Sequence, residues 1–284
     1  MWYKIVKLGT NIENTWCLGC GNFGILNAFK KAIVELEEKG ISQNNILIAS
    51  GIGCSAKIFD YLNLSGIYSL HGRDLATIEG IKFANPNLKT ITFSGDGNAM
   101  GEGLTHLLFA AKRNADVTII MHNNGVYALT TGQYTPITER GWKGPSTPKG
   151  SVEEPFNAIS LVLEAGATFV ARSYTAKIQH LTDMMVQAIE HKGFSFLEVL
   201  QPCVSYNNTY KLYNEIVEEL DDIPKSIEEA KLYAKNKDKL FIGIFYRTEK
   251  PTFCELLYGD HNPVEKRQYR EERINKIKKI LNIK

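Results

Sequence analysis

The sequence lacks any apolar run of the roughly 20 residues that a membrane-spanning helix needs. Its first residues are interrupted by Lys4 and Lys7, too early for the apolar core of a secretory signal. It also lacks an excess of charge of one sign, because 33 basic and 31 acidic residues leave a formal net charge of +2. Nucleic-acid surfaces are usually strongly basic. We therefore expect a cytoplasmic protein that binds neither nucleic acid nor membranes.

Cysteine is scarce, and its number is odd: Cys17, Cys20, Cys54, Cys203 and Cys254 are the only five. An odd number in a chain without a secretory signal argues against a disulfide framework. Metal binding, catalysis and plain burial remain as roles for these side chains.

The apolar pattern alternates between short strands and longer helices. Strands are predicted over residues 46–50, 90–94, 117–121, 168–171 and 194–200. Helices are predicted over residues 24–39, 103–113, 154–163 and 175–191. This alternation is typical of an α/β fold with a doubly wound, mainly parallel sheet, which binds ligands at the carboxyl ends of its strands.

Two regions depart from the alternation. Residues 131–151 are rich in Gly, Pro, Thr and Lys, and a loop of that length is usually functional. Beyond about residue 205 the chain is more charged, so we divide it into an α/β domain (1–206) and a C-terminal extension (207–284) packed on the core. The extension is predicted to be helical, with one strand over 241–245 and a basic exposed helix over 264–284.

Polar residues follow two of the predicted strands at a suggestive spacing. Gly95-Asp96-Gly97-Asn98 ends one strand and Asn123-Asn124 ends the next, and Asp96 and Asn124 are 28 positions apart. A carboxylate and an amide oxygen at one sheet edge suit Mg²⁺, and small residues before a helix leave room for a diphosphate. Each half alone is also a common turn former, so the pairing carries the argument. The pair resembles the thiamine-diphosphate motif, which implies that Asp96, the side chain of Asn124 and the carbonyl of Val126 ligate Mg²⁺.

Four of the cysteines lie where loops could gather. Cys17 and Cys20 share a tight loop before a helix, Cys54 follows the first strand, and Cys203 follows the last one. Four thiolates suit zinc or an iron–sulfur cluster, and the spacing alone leaves both open. A C-x-x-C redox dithiol is a weaker alternative, because nothing around it resembles thioredoxin. Cys254 is interpreted as a buried core residue.

Several segments together resemble the motifs of a known family. They are residues 16–25, 50–55, 70–73, 95–98, 124–130 and 200–203. In this order they are similar to motifs of the β subunit of two-subunit 2-oxoacid:ferredoxin oxidoreductases, over roughly residues 13–210. Leu18 stands where the family commonly has Pro, and Asn98 where a small or acidic residue is common. Neither departure removes an expected ligand.

The resemblance implies a specific set of site residues. Cys17, Cys20, Cys54 and Cys203 would bind a [4Fe–4S] cluster. The residues implied to line thiamine diphosphate and its diphosphate are Ile52, Gly53, Cys54, Ser55, His71, Gly95, Gly97, Asn98, Ala128 and Leu129. Lys57 and Leu129 would face the substrate, and with His71 they are the catalytic candidates. A core histidine and a solvated helix lysine are the alternatives for His71 and Lys57.

The implied reaction is the oxidative decarboxylation of a 2-oxoacid, pyruvate or 2-oxoglutarate among others, with coenzyme A to acyl-CoA and CO₂. Electrons would pass through the cluster to ferredoxin. Thiamine enzymes also need a carboxylate against the aminopyrimidine, and the chain has room for only one thiamine-binding domain, so we expect an α subunit to supply it. A non-redox thiamine-dependent 2-oxoacid decarboxylase subunit with a structural zinc is the main alternative. A non-catalytic electron-transfer or scaffold subunit is the other.

Overall fold

The computed structural model describes residue 5 and residues 7–259, 261–265 and 269–283. Within these residues an eight-stranded, mainly parallel sheet forms the centre of the fold, in the order β2-β1-β3-β4-β8-β7-β10-β9. The strands are β1 (Ile46–Ser50), β2 (Ser65–Tyr68), β3 (Lys89–Gly95), β4 (Thr118–Asn123), β5 (Val126–Tyr127), β6 (Gln133–Tyr134), β7 (Phe169–Tyr174), β8 (Ser195–Leu200), β9 (Val217–Glu219) and β10 (Leu240–Arg247). β5 and β6 form a separate antiparallel hairpin, and β10 pairs antiparallel with β7.

Helices cover both faces of the sheet, as the doubly wound fold requires. They are α1 (Asn22–Glu38), α2 (Asp74–Ala84), α3 (Leu104–Lys112), α4 (Ala158–Glu164), α5 (Ile178–Glu190), α6 (Tyr210–Ile216), α7 (Ile227–Ala234), α8 (Phe253–Tyr258) and α9 (Arg270–Ile280). α1 and α5 pack in the apolar core on one face, while α2, α3, α4 and α7 pack in the core on the other. Neighbouring strand residues alternate between the two cores: Ile48 belongs to the first and Ala49 to the second.

The predicted fold class is confirmed, and each predicted strand lies within or overlaps an observed one. Strands β2, β5, β6 and β9 and helix α2 were not predicted. All four residues of β2 are exposed at the sheet edge, so no apolar run marks it. Residues 154–157 were predicted to be helical but precede α4, because the Asn157 side chain accepts a hydrogen bond from Ser160 N (2.9 Å) and caps the helix there.

The parallel strands β1, β3, β4 and β8 end at one edge of the sheet, and their following loops form the site described below. A short 3₁₀ helix (Ala56–Tyr61) follows the loop after β1, and a π-helical turn (Asn98–Glu102) follows β3 before α3. The predicted loop 131–151 contains β6 but is otherwise irregular.

The C-terminal region carries β9 and β10, one strand more than predicted, and β10 extends the main sheet. The division at residue 206 stays a prediction. Of the predicted helix 264–284, the structure shows α9, whose residues are all exposed; residues 266–268 and 284 lie outside the described part. Among the described helices, none is both long and apolar enough to cross a membrane.

Candidate functional site

A cleft at the carboxyl edge of the sheet collects most of the predicted cofactor residues. It has a cavity volume of about 80 Å³ and is lined by Ile52, Gly53, Cys54, Ser55, His71, Gly95, Asp96, Gly97, Asn98, Asn124, Val126, Tyr127, Ala128, Leu129 and Thr130. Every residue that the sequence analysis predicted to bind thiamine diphosphate or Mg²⁺ lines this cleft. Lys57 does not line the cleft.

Asp96 lies at the end of β3 and is 1% exposed. Its Oδ2 atom accepts a hydrogen bond from Thr135 Oγ1 (2.6 Å), and backbone N–H groups of Asn124 and Gly97 also donate to the carboxylate. Among the described residues it has no ion-pair partner. Burial raises the pKa of Asp96 to about 7. A buried carboxylate without a cationic partner is a suitable ligand for Mg²⁺, so the donor set fits this metal.

Asn124 and Val126 complete the expected metal side of the cleft. Asn124 Oδ1 accepts a hydrogen bond from Val126 N (3.0 Å), which fixes the turn after β4. The Asn124 carbonyl accepts a bond from Asn207 Nδ2 (2.8 Å). This turn brings Asn124 and the buried Val126 to the same cleft as Asp96.

Asn98 ties together the loops that follow three strands. Its Oδ1 atom accepts from Gly72 N (2.7 Å) and Ile52 N (3.3 Å), and its Nδ2 atom donates to Asp74 Oδ1 (2.7 Å) and Ser94 Oγ (2.5 Å). Both acceptor positions and both donor hydrogens of this buried amide are therefore hydrogen-bonded within the protein. Asn98 lines the cleft as predicted, but it shapes the cleft rather than offering a free polar atom to a ligand.

The glycines of the cleft make room for a ligand and for close packing. Gly53 has a φ of +122°, which favours glycine. A Cβ atom on Gly97 would lie 2.2 Å from the ring of Tyr127. A methyl group added to Gly97, in the predicted diphosphate-binding loop, therefore fits only if the Tyr127 ring or the loop moves.

His71, Glu102 and Tyr127 form a cluster at the cleft. His71 Nδ1 lies 3.1 Å from Glu102 Oε2 without hydrogen-bond geometry, and Tyr127 OH donates to the same oxygen (3.3 Å) and to Gly97 O (3.2 Å). Burial, with the charge of Glu102, raises the pKa of Tyr127. The sequence predicted His71 but missed Glu102 and Tyr127, although Tyr127 lies inside the 124–130 motif.

A second cavity, of about 50 Å³, has Cys17, Cys20, Cys54 and Cys203 among its lining residues. The cysteines lie close enough to affect one another: burial raises the pKa of Cys20 to about 11, Asn22 N–H opposes this rise, and the charges of Cys203, Cys54 and Cys17 add to it. The predicted gathering of these four residues is therefore what the fold produces. Cys254 is buried elsewhere, next to Lys82.

The surrounding residues donate hydrogen bonds to the sulfur atoms and their loops. Ser205 Oγ donates to Cys17 Sγ (3.2 Å), and Gln201 Nε2 donates to Cys20 Sγ (3.7 Å). Trp16 Nε1 donates to the carbonyl of Cys54 (2.7 Å). Donors of this kind stabilise thiolates, so the environment fits Cys ligands of a metal cluster.

In the described part of the chain, no three His, Cys, Asp or Glu side chains lie close enough together to hold a single metal ion. A tetrahedral zinc site requires four ligands converging on one atom. An iron–sulfur cluster places its ligands further apart, because each cysteine binds a different iron. Within the described residues, the four cysteines therefore do not form a single-ion site.

The two cavities share a wall made of Cys54, Asn124 and Ala128. Lys57 lies beside this region: its Nζ atom donates to Thr15 Oγ1 (2.9 Å), and its charge opposes the rise that burial causes in the pKa of Cys54. A ligand in the cleft and a group held by the cysteines would be neighbours.

Two family models match the chain. The model described as thiamine pyrophosphate enzyme, C-terminal TPP binding domain, matches residues 41–199. The model described as the C-terminal part of the pyruvate ferredoxin oxidoreductase beta subunit matches residues 203–260. The first match contains Asp96, Asn124 and the rest of the cleft.

Curated relatives and a solved structure agree with these models. The 2-oxoacid:ferredoxin oxidoreductase subunit beta of Sulfolobus sp is 40% identical, over 93% of this chain and 94% of its own length. The 2-oxoglutarate synthase subunit KorB of Methanothermobacter marburgensis is 35% identical, over 87% and 88%. A solved 2-oxoglutarate:ferredoxin oxidoreductase from Magnetococcus marinus, with 2-oxoglutarate, coenzyme A and succinyl-CoA bound, superposes with a TM-score of 0.88 at 30% identity, covering 96% of this chain and 95% of that one.

Proposed function

The chain belongs to the β subunits of the 2-oxoacid:ferredoxin oxidoreductases, and we propose that it oxidatively decarboxylates a 2-oxoacid with coenzyme A to acyl-CoA and CO₂. In this proposal electrons pass through a [4Fe–4S] cluster in the chain to ferredoxin. One observation carries it: the cleft for thiamine diphosphate and the cavity lined by four cysteines share the wall of Cys54, Asn124 and Ala128. The electron donor and the first acceptor would thus be in adjacent sites.

Asp96, Asn124 and the carbonyl of Val126 are proposed to hold Mg²⁺, and Gly97 leaves space beside them for the diphosphate. Ile52, Gly53, Ser55, His71, Ala128 and Leu129 would bind the rest of the cofactor. When bound, thiamine diphosphate supplies the carbanion that adds to the 2-oxo carbon and the electron sink for loss of CO₂. The protein's part is to fix the metal ligands and to shape the cleft through the Asn98 hydrogen bonds.

Cys17, Cys20, Cys54 and Cys203 are proposed to ligate the cluster, which would accept electrons one at a time. The hydrogen bonds from Ser205 and Gln201 would stabilise its thiolate ligands. The polar shell around the cluster would thereby set its potential.

A partner subunit is proposed to complete the site. Among the described residues that line the cleft, Asp96 is the only carboxylate, and it is committed to the metal side, while Glu102 beside the cleft accepts a hydrogen bond from Tyr127. The carboxylate for the aminopyrimidine would therefore come from the α subunit. Ile52 (39% exposed) and Leu129 (48% exposed) lie at the cleft, and large apolar residues so exposed are suited to burial against another chain.

Leu129 and Lys57 are proposed to face the 2-oxoacid. Leu129 lines the cleft, and Lys57 lies behind Cys54 on the 3₁₀ helix, where its ammonium group bonds to Thr15. For Lys57 to reach a substrate carboxylate, it must exchange the Thr15 bond for one to the substrate. Both 2-oxoglutarate and other 2-oxoacids fit this arrangement, in keeping with the range of substrates in the relatives' names.

The test is to co-express the chain with its α subunit, purify the complex without oxygen, and follow reduction of ferredoxin or a viologen dye. Each 2-oxoacid is supplied with and without coenzyme A. Reduction that requires both compounds is the expected result, and the preferred acid identifies the substrate. CO₂ and aldehyde release by a colourless complex, without dye reduction, would instead establish a non-redox decarboxylase and overturn the proposal.

A further inference from the structure

Gln201, the residue that follows β8, has a side chain that joins the two cavities. Its Oε1 atom accepts a hydrogen bond from Asn124 Nδ2 (3.1 Å). Its Nε2 atom donates to Cys20 Sγ (3.7 Å) and to the carbonyl of Pro202 (2.8 Å). One amide group therefore contacts a proposed Mg²⁺ ligand on one side and a proposed cluster ligand on the other.

The surroundings hold this amide in one position. Gln201 is 1% exposed, and its backbone N–H donates to the carbonyl of Asn123 (2.8 Å). A Cβ atom on Gly21 would lie 2.9 Å from Gln201 Cγ, so the loop that carries Cys20 packs directly against the side chain. Gln201 is almost inaccessible to bulk solvent, so water does not readily replace the contacts that its amide makes.

Two consequences follow from this geometry. Because Asn124 donates through Nδ2 to Gln201 and accepts through Oδ1 from Val126 N, both bonds hold its amide in one orientation, and the second lone pair of Oδ1 remains for a metal. Because a hydrogen bond to a thiolate sulfur offsets negative charge, it favours the reduced form of a cluster, which carries one electron more.

We propose that Gln201 is a positioning residue that orients Asn124 for Mg²⁺ and raises the reduction potential of the cluster through its bond to Cys20. This inference rests on the proposed function, since it requires the metal and the cluster in these two cavities. In this inference one side chain, that of Gln201, contacts both the proposed thiamine diphosphate site and the proposed cluster site.

Two substitutions separate the two roles. Gln201→Met keeps the length of the side chain but removes both the acceptor for Asn124 and the donor to Cys20. Gln201→Glu keeps an acceptor for Asn124 and removes the amide donor. Gln179→Met makes the same chemical change at an exposed position of α5 and serves as the control. Ser205→Ala removes a bond to Cys17 at an exposed residue, where water can substitute.

The experiment uses the anaerobic complex of both subunits, with iron content measured first. Cluster potentials are determined by redox titration with paramagnetic resonance, and Mg²⁺ affinity by titration of the metal-depleted complex in the presence of thiamine diphosphate. In both Gln201 variants we expect the ratio of reduced to oxidised cluster at a fixed potential to fall about tenfold, a shift of about 59 mV for one electron. We expect Mg²⁺ affinity to fall about tenfold in Gln201→Met alone. Ser205→Ala should shift the ratio less, and Gln179→Met should change neither quantity.

Loaded complexes whose potentials match the wild type in both Gln201 variants would overturn the inference and leave the proposed function intact. If Gln201→Met does not assemble, an unchanged potential in Gln201→Glu still overturns the inference, because the lost donor and the added carboxylate would both lower the potential. A wild-type complex without iron would overturn the proposed cluster and the inference together, and the iron measurement identifies this case before any variant is compared.

Discussion

Asn98 Nδ2 donates a hydrogen bond of 2.7 Å to Asp74 Oδ1, and both residues are buried between the loops that form the cleft. Asn98→Ala would leave Gly72 N and Ile52 N without their shared acceptor and would remove one partner of Asp74. Each buried polar group left without a partner costs about 1–3 kcal/mol, so we expect unfolding free energy to fall by about 2–4 kcal/mol. Urea unfolding of the chain measures this, with the exposed Asn44→Ala as control. Equal midpoints for the two variants would contradict the role of Asn98.

The buried ion pair of Arg172 and Glu198 supports the strands next to the cleft. Arg172 Nε lies 2.7 Å from Glu198 Oε2, both side chains are 5% exposed, and Asn123 Nδ2 donates to Glu198 Oε1 (2.7 Å). Arg172→Met would leave a buried charge unpaired, which costs about 3–5 kcal/mol. Adding Glu198→Gln removes that charge while keeping an acceptor for Asn123, so we expect more than half of the loss in unfolding free energy to be recovered.

Arg140→Met is the control for this pair. The Arg140 and Glu154 side chains lie 2.6 Å apart but are 64% and 67% exposed, so their interaction is worth about 0–1 kcal/mol. If Arg140→Met lowered the unfolding free energy as much as Arg172→Met does, burial would not determine the cost of breaking the ion pair. Urea unfolding under the same conditions supplies all of the values.

Much of this site was predictable, because the signals are local. Asp96 and Asn124 each follow an apolar strand, and parallel topology brings such strand ends together. Gln201 and Cys20 are 181 positions apart, and no local pattern indicates that their side chains meet. Thr135 could not be predicted for the same reason, because it donates a hydrogen bond to Asp96 from a loop without periodicity. Lys57 was expected to face the substrate from its place in a motif, but only the structure shows its ammonium group on Thr15.

Gly97 is expected to tolerate no side chain. In Gly97→Ala the added Cβ atom would lie 2.2 Å from the Tyr127 ring, and the ring or the β3 loop must move. Overpacking of this kind costs about 1–3 kcal/mol, so we expect thiamine diphosphate to bind about tenfold more weakly or worse in a calorimetric titration of the complex. Gly80→Ala in α2, where no atom lies within 4 Å, should leave binding unchanged and stabilise the helix by about 0.5–1 kcal/mol.

His191 is expected to make stability depend on pH. Burial lowers the pKa of His191 from 6.5 to about 4. The nearby charges are those of Arg247, Asp116, Lys89 and Glu249. The unfolded chain therefore binds a proton between pH 6.5 and 4 that the folded chain excludes, and unfolding free energy falls as the pH falls through this window. His191→Gln keeps a hydrogen-bonding amide beside Thr168 and should flatten the decline in urea unfolding, while the exposed His261→Gln should not.

The two cofactor sites are expected to be separable by mutation although they share a wall. Asp96→Asn replaces the proposed carboxylate ligand and should abolish Mg²⁺-dependent binding of thiamine diphosphate while the complex keeps its iron and colour. Cys203→Ala removes one of the four proposed cluster ligands and should lower the iron content while thiamine diphosphate still binds. Iron assay and calorimetric titration on the same anaerobic preparations measure both quantities. Because Asp96 lines only the cleft and Cys203 only the other cavity, loss of both groups in either variant would mean that the two sites assemble as one unit.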